Sequence, residues 1–326
     1  MGIFPNYNKE GPGVYADDPK HGPFVRFFQT YSSKFFKLVT TNLMFVIFNI
    51  PAMLIAYAGI VFFLPQLNPI FDPTAFQQYL SDMGIAVSDG SAAGGNAALQ
   101  LYFLLVLFMV MFTVGMQLVA VGPVQTGLSY VYRNYAREST TFLWSDFASA
   151  VKKDWKPSAI ASLVSVIGTV VILFNIVFYT NVYQGQYSQI FSAIFIVIFV
   201  IFMCVQIFVY PMIASVDLKL RYVYRNAILF FLGRLIPTIG IFLVNLIVLF
   251  VIPVIMLFSF TYAGFALSIF YYLFFAFSFV QYLNTFFVWQ QIERYIAKPV
   301  EEVTQEAEVK SMEKPMNKGS KGTDAK

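Results

Sequence analysis

Reactive side chains are scarce in this sequence of 326 residues. Cys204 is the single cysteine and His21 is the single histidine. One cysteine can form neither a disulfide within the chain nor a cysteine-based zinc or iron–sulfur site, and one histidine argues against Ser-His-Asp or Cys-His catalysis. The sequence also contains no nucleotide-binding glycine loop. We therefore expect no enzymatic activity, no catalytic or metal-binding residue and no cofactor.

The strongly polar side chains within the apolar stretches are amides. They are Asn42, Asn49, Gln117, Asn175, Gln206, Asn245, Gln281 and Asn284. An amide in a membrane helix gains roughly 0.6 to 2 kcal/mol from an interhelical hydrogen bond, so one interpretation is that these side chains hold helices together. Amides and tyrosine hydroxyls can also line a path for a neutral solute such as a sugar. The sequence favours helix packing, because amides spread over all the spans need no substrate to explain them.

The composition is typical of an integral membrane protein. Apolar residues make up 58% of the chain and charged residues 12%, with 38 phenylalanines and 20 tyrosines. Because the bilayer core requires about 20 consecutive apolar residues in a helix, the gaps between ionisable side chains locate the spans. We predict an all-α, polytopic membrane protein with six transmembrane helices, at about 38–64, 99–121, 157–180, 190–215, 235–258 and 264–289. Pro51 is placed to kink the first of them.

The chain divides into three parts by composition. Residues 1–37 form a Pro/Gly-rich segment and an amphipathic interfacial helix, residues 38–292 form the six-span membrane domain, and residues 293–326 form a charged cytoplasmic tail that we expect to be disordered. In the long loop 65–96, Asp72 and the proline after it predict the start of a short outer helix.

The basic residues predict the orientation. All 21 lysines and arginines fall in the N-terminal segment, the second-to-third connection, the fourth-to-fifth connection or the tail. The opposite connections contain Asp72, Asp82 and Asp89 instead. Basic residues that flank spans stay on the cytoplasmic side, so both termini are predicted to be cytoplasmic. The net charge of +4 reflects this asymmetry, and we expect the lipid bilayer rather than a nucleic acid as the partner of this chain.

Two amphipathic segments are predicted at the cytoplasmic surface. Phe24, Phe27, Phe28 and Tyr31 recur at helical spacing among basic residues, which is typical of an interfacial helix. A docking helix for a cytoplasmic partner would show the same pattern. The segment 144–155 has a tryptophan at each end and predicts a second surface helix.

A five-residue sequence, Tyr-Val-Tyr-Arg-Asn, occurs at 130–134 and again at 222–226. Internal duplication and chance or shared interfacial chemistry both remain open as explanations. With duplication, the two cytoplasmic elbows occupy equivalent positions that could contact a partner. The candidate elbow residues are Tyr130, Tyr132, Arg133, Asn134, Trp144, Asp146, Trp155, Tyr222, Tyr224, Arg225 and Asn226.

Three stretches resemble a known family: Gly11-Pro-Gly-Val14, the run from Gly122-Pro123 through Glu138, and Trp144-Ser-Asp-Phe147 with Lys153-Asp-Trp-Lys156. In these residues the chain resembles the YesL-like bacterial membrane proteins, a domain of unknown function found mainly in Gram-positive bacteria. The resemblance covers roughly residues 8–160. It implies a bacterial plasma membrane protein near sugar uptake, because members are often encoded beside carbohydrate ABC-transporter genes. It supplies no catalytic or ligand residues.

Two hypotheses of different classes follow. The first is a non-enzymatic accessory or scaffold component of a carbohydrate ABC-type uptake system, with transporter subunits or a second copy of the chain as its partner. The alternative is a permease or channel for a neutral polar solute such as a sugar, with a path formed by Asn42, Asn49, Gln117 and Gln206. The lack of ionisable residues near the span centres argues against a proton-coupled or sodium-coupled carrier.

Overall fold

A computed structural model describes residues 22–84, 92–183, 185–258 and 262–297, and within these ranges the chain is helical and contains no strand. Predictions that concern residues 1–21, Asp89 and the tail from 298 onward lie outside the described residues. The α-helices are α1 (Pro23–Ser33), α2 (Phe35–Phe48), α3 (Ile50–Leu67), α4 (Pro73–Asp82), α5 (Ala92–Gly115), α6 (Gly122–Ala136), α7 (Leu143–Val177), α8 (Ser188–Ser215), α9 (Leu220–Gly233), α10 (Leu235–Leu246), α11 (Ile252–Phe258), α12 (Tyr262–Tyr271) and α13 (Phe277–Ile292). A 3₁₀ turn covers Pro69–Phe71, and π-helical segments cover Phe178–Val182, Ile247–Val251, Tyr272–Ala276 and Glu293–Ala297.

Six helical stretches are long and apolar enough to cross a membrane, which confirms the predicted all-α, six-span fold class. They are Ile50–Leu67, Ala98–Gly115, Leu143–Val182, Ser188–Ser215, Leu235–Leu257 and Ala263–Ile296. Two of them pass through π-helical segments in their middle. A shorter apolar helix, α2, precedes the first stretch.

The predicted span 38–64 is divided at Asn49, between α2 and α3. Pro51 lies in the first turn of α3. It has no N–H to donate to a carbonyl of α2, and its ring clashes with the turn before it, so α2 and α3 cannot form one continuous helix. The predicted kink at Pro51 is therefore a complete break two residues earlier in the chain. Asn49 connects the two helices.

The predicted span 99–121 also differs from the structure. Its helix, α5, ends at Gly115, and a turn over residues 116–121 leads directly into α6. Gln117 has φ of 63° in this turn. That left-handed conformation is strained for a residue with a β-carbon, and it persists only where the surrounding structure holds it.

The third span and the predicted surface helix before it form one bent helix. α7 begins at Leu143 and continues past Pro157, where a span was predicted to begin. Asp154 has non-helical angles, φ −108° and ψ 19°, three residues before the proline. Because proline distorts the preceding turn of a helix, Pro157 accounts for the bend.

α6 lies at the centre of the packing. Twelve of its 15 residues are buried, and it contacts α7, α8 and α13. A β-carbon on Gly122 would lie 1.9 Å from the Ser158 carbonyl oxygen, and one on Gly127 would lie 2.6 Å from a methyl group of Val151. The two glycines therefore allow α6 and α7 to approach closely. The sequence had suggested a cytoplasmic connection here, and the structure instead has a core helix.

Charged residues meet at one end of the bundle. The Arg26 Nε lies 3.7 Å from Glu138 Oε1, which joins α1 to the connection between α6 and α7. The Lys153 Nζ lies 2.6 Å from Asp217 Oδ1, which joins α7 to the connection between α8 and α9. We call this the basic end.

The helix predicted in loop 65–96 forms as α4. The Asp72 Oδ1 caps it by accepting a hydrogen bond from the Thr74 N–H at 3.0 Å. Hydrogen bonds from the Thr74 hydroxyl and N–H hold the pKa of the Asp72 carboxyl below its ordinary value. Gly84 follows the helix with φ of 70°, a conformation that glycine adopts without strain.

α1 is the amphipathic helix predicted before the first span. Its exposed face includes Phe24 and Phe28, whereas Phe27 and Tyr31 are buried. The Phe27 ring stacks on Tyr282 of α13 with 5.1 Å between centroids. One side of α1 is thus attached to the last span.

Candidate functional site

The interruptions of the spans leave backbone groups that cannot bond within a regular helix. In a bilayer core each such group needs a partner inside the protein, because water is excluded. The interruptions are the break at Asn49, the turn 116–121 and the π-helical segments Ile247–Val251 and Tyr272–Ala276. Three of the amides predicted as intramembrane polar contacts, Asn42, Asn49 and Gln117, bond at these interruptions.

Asn42 binds the π-helical segment of the last span. Its Nδ2 donates to the carbonyl oxygens of Tyr272 and Leu273 at 2.7 and 2.6 Å. Its Oδ1 accepts the Ser278 N–H at 2.7 Å. Asn42 is fully buried. One amide thus satisfies three backbone groups of a helix 230 residues away in the sequence.

Asn49 connects two interruptions. Its Oδ1 accepts the Val121 N–H at 3.0 Å and the Gln125 Nε2 at 3.1 Å, and its own Nδ2 donates to the Phe45 carbonyl at 2.8 Å. The break between α2 and α3 is thereby fixed to the start of α6.

The turn 116–121 is bonded by side chains from two spans. Gln117 Nε2 donates to Gln281 Oε1 of α13, and Gln281 Nε2 donates to the Gly115 carbonyl at 3.3 Å. The Ser165 hydroxyl of α7 donates to the Gln117 and Leu118 carbonyls at 2.9 and 3.0 Å. A second serine of α7, at position 162, donates to the Ala120 carbonyl. These contacts hold the strained conformation of Gln117.

Two tyrosine hydroxyls donate hydrogen bonds to the remaining π-helical segment, Ile247–Val251. The Tyr271 hydroxyl donates to the Val248 carbonyl at 3.1 Å, and the Tyr272 hydroxyl donates to the Leu249 carbonyl at 2.5 Å. Sequence reasoning missed these tyrosines and the two serines of α7. Adjacent tyrosines in an otherwise phenylalanine-rich span were the available signal.

The other amides differ in the kind of hydrogen-bond partner they have. Asn245 Nδ2 donates to Asn284 Oδ1 at 2.8 Å, which pairs the fifth and sixth spans. Asn175 donates to the Val171 carbonyl of its own helix at 2.8 Å and joins no other element through this bond. Gln206 is fully buried, and neither its Oε1 nor its Nε2 has a hydrogen-bond partner in the described part of the chain.

The amides therefore do not converge on one place. Asn42 bonds to the π-helical segment of the last span, and Asn49 bonds to the end of the turn 116–121. Gln117 lies in that turn itself and bonds to Gln281 of α13. This arrangement is the one expected of side chains that join helices. Gln206 shares its lack of partners with buried polar atoms on α6 and α13, two helices that contact α8; they include Gln125 Oε1, Thr126 Oγ1, Ser129 Oγ and Thr285 Oγ1.

A groove of about 400 Å³ lies between α3, α5, α7 and α8. Its lining is almost entirely apolar and includes Phe63, Phe112 and Phe199. Such a lining suits hydrocarbon rather than a sugar. In the ranges that the structure describes, no group of three or more His, Cys, Asp or Glu side chains could hold a metal ion.

The first copy of the repeated sequence is part of the core. Tyr132 is fully buried and Asn134 is nearly so, and neither is available to a cytoplasmic partner. Arg133 Nη1 donates to the Ala214 carbonyl near the end of α8 at 2.7 Å. The Arg133 guanidinium also lies over the Tyr130 ring, 4.4 Å from its centroid. Tyr130 and Arg133 are half-buried, so only Tyr132 and Asn134 of this copy are withdrawn into the core.

The second copy lies on α9 and is more exposed. Tyr222 and Arg225 are exposed, whereas Tyr224 and Asn226 are half-buried. The Tyr224 hydroxyl lies 3.4 Å from the Ala161 carbonyl oxygen, within donating distance. The two copies have the same sequence but do not occupy equivalent environments.

The first half of α7 contributes the remaining candidate residues. Asp146 Oδ2 accepts the Phe142 N–H at 2.9 Å, so this side chain in the first turn of α7 bonds back to the residue before the helix. Trp144 and Trp155 are exposed, and the Lys156 Nζ lies 5.8 Å from the centroid of the Trp155 ring. These two tryptophans, unlike Tyr132, can contact a partner.

One part of the chain is similar to a known protein family. Residues 101–176 match the family described as "Protein of unknown function, DUF624". The DUF624 segment runs from α5 through the turn 116–121 and α6 into α7, so it contains the close approach of α6 to α7 at Gly122. No curated protein and no solved structure matches the chain. The DUF624 match is compatible with a membrane protein whose function is not assigned.

Proposed function

We propose that this chain is a non-enzymatic accessory or scaffold component of a carbohydrate ABC-type uptake system. It resides in the bacterial plasma membrane with both termini in the cytoplasm. The observation that supports the proposal most is the use of the intramembrane amides. Asn42 and Asn49 bond to helix interruptions, and Gln117 bonds from the turn 116–121 to α13, so these amides hold elements of the bundle together.

A surface for a protein partner is available at the basic end. Trp144 and Trp155 of α7 are exposed there, and Lys153 of the same helix forms the ion pair with Asp217. Exposed tryptophans are frequent anchors in protein interfaces. We assign the partner contact to this tryptophan-bearing surface of α7.

The link to sugar uptake comes from the resemblance to YesL-like proteins, whose genes often lie beside carbohydrate ABC-transporter genes. The DUF624 match is consistent with an origin in a family of unknown function but names no partner. The transporter subunits are therefore the first partners to test, and self-association is the second.

Affinity purification of the full chain from native membranes tests the proposal. We compare Trp144→Ala with Phe174→Ala, because both residues lie on α7 and each is 60% exposed. A tryptophan anchor contributes about 2 kcal/mol or more to binding, so Trp144→Ala should lower recovery of transporter subunits at least about tenfold. Phe174→Ala, in the apolar part of the helix, should leave recovery unchanged.

Three results would count against the proposal. Absence of transporter subunits from the wild-type preparation would refute the uptake assignment. Equal recovery with Trp144→Ala and wild type would refute the docking surface. Recovery of a second copy of the chain in place of transporter subunits would identify self-association instead.

A second candidate function is a permease for a neutral polar solute. The observation in its favour is Gln206, which is buried in a span and has both amide atoms without a partner among the described residues. Sugar flux into liposomes that contain the purified protein alone would support the permease and contradict the accessory role. If flux depends on this residue, Gln206→Leu abolishes it and Asn175→Leu does not.

A further inference from the structure

α9 has an exposed stripe whose character changes along its length. Arg221, Tyr222 and Arg225 are exposed at its beginning, and Ile228, Leu229 and Leu232 are exposed after them. Val223, Ala227 and Phe231 are buried on the opposite side. The helix thus presents two cations and a phenol at one end of the stripe and three branched apolar side chains at the other.

Two contacts locate α9 near the basic end of the bundle. The Tyr224 hydroxyl lies near the Ala161 carbonyl of α7. Six residues later, the Phe230 ring lies 6.1 Å from the Tyr295 ring, beyond the end of α13. The buried side of α9 packs mainly on α8, so its exposed face is turned away from the core. An amphipathic helix in this position lies in the membrane interface.

The first copy of the repeated sequence shows what the shared residues can bind. In that copy the arginine at 133 is placed over the tyrosine three residues before it and donates to a carbonyl oxygen of the protein. Tyr222 and Arg225 have the same spacing on a helix. In the described ranges neither Arg221 nor Arg225 has a carboxylate within 4.0 Å. The arginine side chain that bonds within the protein in the first copy is thus exposed in the second copy.

We propose that Arg221, Tyr222 and Arg225 bind the phosphate group of an anionic phospholipid from the surrounding bilayer. Arg221 and Arg225 are four residues apart and so lie on the same face of α9, where two guanidinium groups can donate to one phosphate. Tyr222 supplies a hydroxyl at the level of the headgroup. The acyl chains lie along Leu229 and Leu232, which are exposed near the end of α9 that leads into the fifth span.

Charge complementarity selects this occupant. A protein segment that covered the apolar part of the stripe would also need acidic side chains for the arginines, whereas an anionic phospholipid supplies phosphate and hydrocarbon in one molecule. Each arginine near an anionic membrane surface strengthens binding by roughly fivefold, so two contribute about 30-fold. The charged tail after residue 297, which contains Glu301 and Glu302, is the competing occupant.

Native mass spectrometry of the purified full chain with phosphatidylglycerol or phosphatidylcholine tests the site. The double variant Arg221→Gln/Arg225→Gln should weaken phosphatidylglycerol binding about 10- to 30-fold and leave phosphatidylcholine binding unchanged. The matched control is Lys37→Gln/Lys152→Gln, which removes the same charge from exposed positions on α2 and α7. It should change binding less than about twofold, because long-range attraction is screened by salt.

Two results would overturn the proposal. Equal weakening by both double variants would show that only net charge matters. A wild-type chain that binds phosphatidylglycerol no better than phosphatidylcholine would show that the stripe is not a phospholipid site. If Glu301→Gln/Glu302→Gln then creates phosphatidylglycerol binding, the tail is the occupant.

Discussion

Replacement of Asn42 by leucine should destabilise the protein more than any other amide replacement in the spans. Leucine has a similar size and leaves little cavity, but it removes two donated hydrogen bonds and one accepted bond. Hydrogen bonds between membrane helices contribute roughly 0.6 to 1.7 kcal/mol each, so three give about 2 to 5 kcal/mol. The loss should fall in the upper part of this range, because the carbonyls of Tyr272 and Leu273 would stay buried without a partner.

Asn175→Leu is the matched control. Among the described residues, the Asn175 amide donates to the Val171 carbonyl of its own helix. Its replacement should change stability by less than about 0.5 kcal/mol, since no interhelical contact is lost. The assay is reversible unfolding in mixed micelles of increasing denaturing detergent, followed by circular dichroism. Comparable midpoints for Asn42→Leu and Asn175→Leu would refute the assignment of stability to the Asn42 bonds.

Asn42→Asp separates hydrogen bonding from shape. A carboxylate has the shape of the amide but offers no donor to the Tyr272 and Leu273 carbonyls, and it buries a charge. Asn42→Asp should therefore unfold at a lower detergent fraction than Asn42→Leu. The reverse order would indicate that side-chain packing, and not the donated bonds, determines the role of this position.

Other substitutions test the remaining features in the same assay. Gly122→Ala should destabilise the protein by about 3 kcal/mol, because the new methyl group would lie 1.9 Å from the Ser158 carbonyl oxygen. Gly59→Ala, with no atom within 4 Å of the added methyl, should stabilise the protein by up to about 1 kcal/mol. Equal effects of the two substitutions would contradict the close packing of α6 on α7. Tyr272→Phe should cost about 1 kcal/mol through its lost bond to a π-helical carbonyl, and no change would remove this tyrosine from the site. Gln206→Leu should stabilise by about 1 to 3 kcal/mol, because two buried polar atoms without partners disappear; destabilisation would show that Gln206 binds a polar group.

The number of spans could be predicted because ionisable residues are confined to their ends. Where a span is interrupted depends on partners that are distant in the sequence. Pro51 indicated a disturbance in the first span, but the break at Asn49 is held by the N–H of Val121 and the amide of Gln125. Similarly, nothing near Asn42 indicates that its partners lie in the last span.

The burial of α6 illustrates a different difficulty. The sequence 122–136 is only weakly apolar and ends at arginines, which is typical of a surface connection. Its burial depends on Gly122 and Gly127, which admit α7 at short distance, and on Ser129 and its neighbours, whose small side chains let other helices approach. The small residues at three- to five-residue intervals in this segment could have predicted close helix packing. A hydropathy pattern alone does not reveal such packing.

The repeated sequence shows why motif identity does not determine function here. Both copies place an arginine three residues after a tyrosine on a helix, yet Arg133 donates to the Ala214 carbonyl and Arg225 faces away from the core. The difference comes from what surrounds each helix: α6 is enclosed by α7, α8 and α13, whereas α9 packs mainly on α8 and has one side exposed. Exchange of Arg133 for glutamine should therefore lower the stability of the fold, while the same exchange at Arg225 should affect only binding at the surface. A stability loss at Arg225 equal to that at Arg133 would mean that α9 is enclosed in the native assembly, and the exposed stripe would then be an interface with another protein.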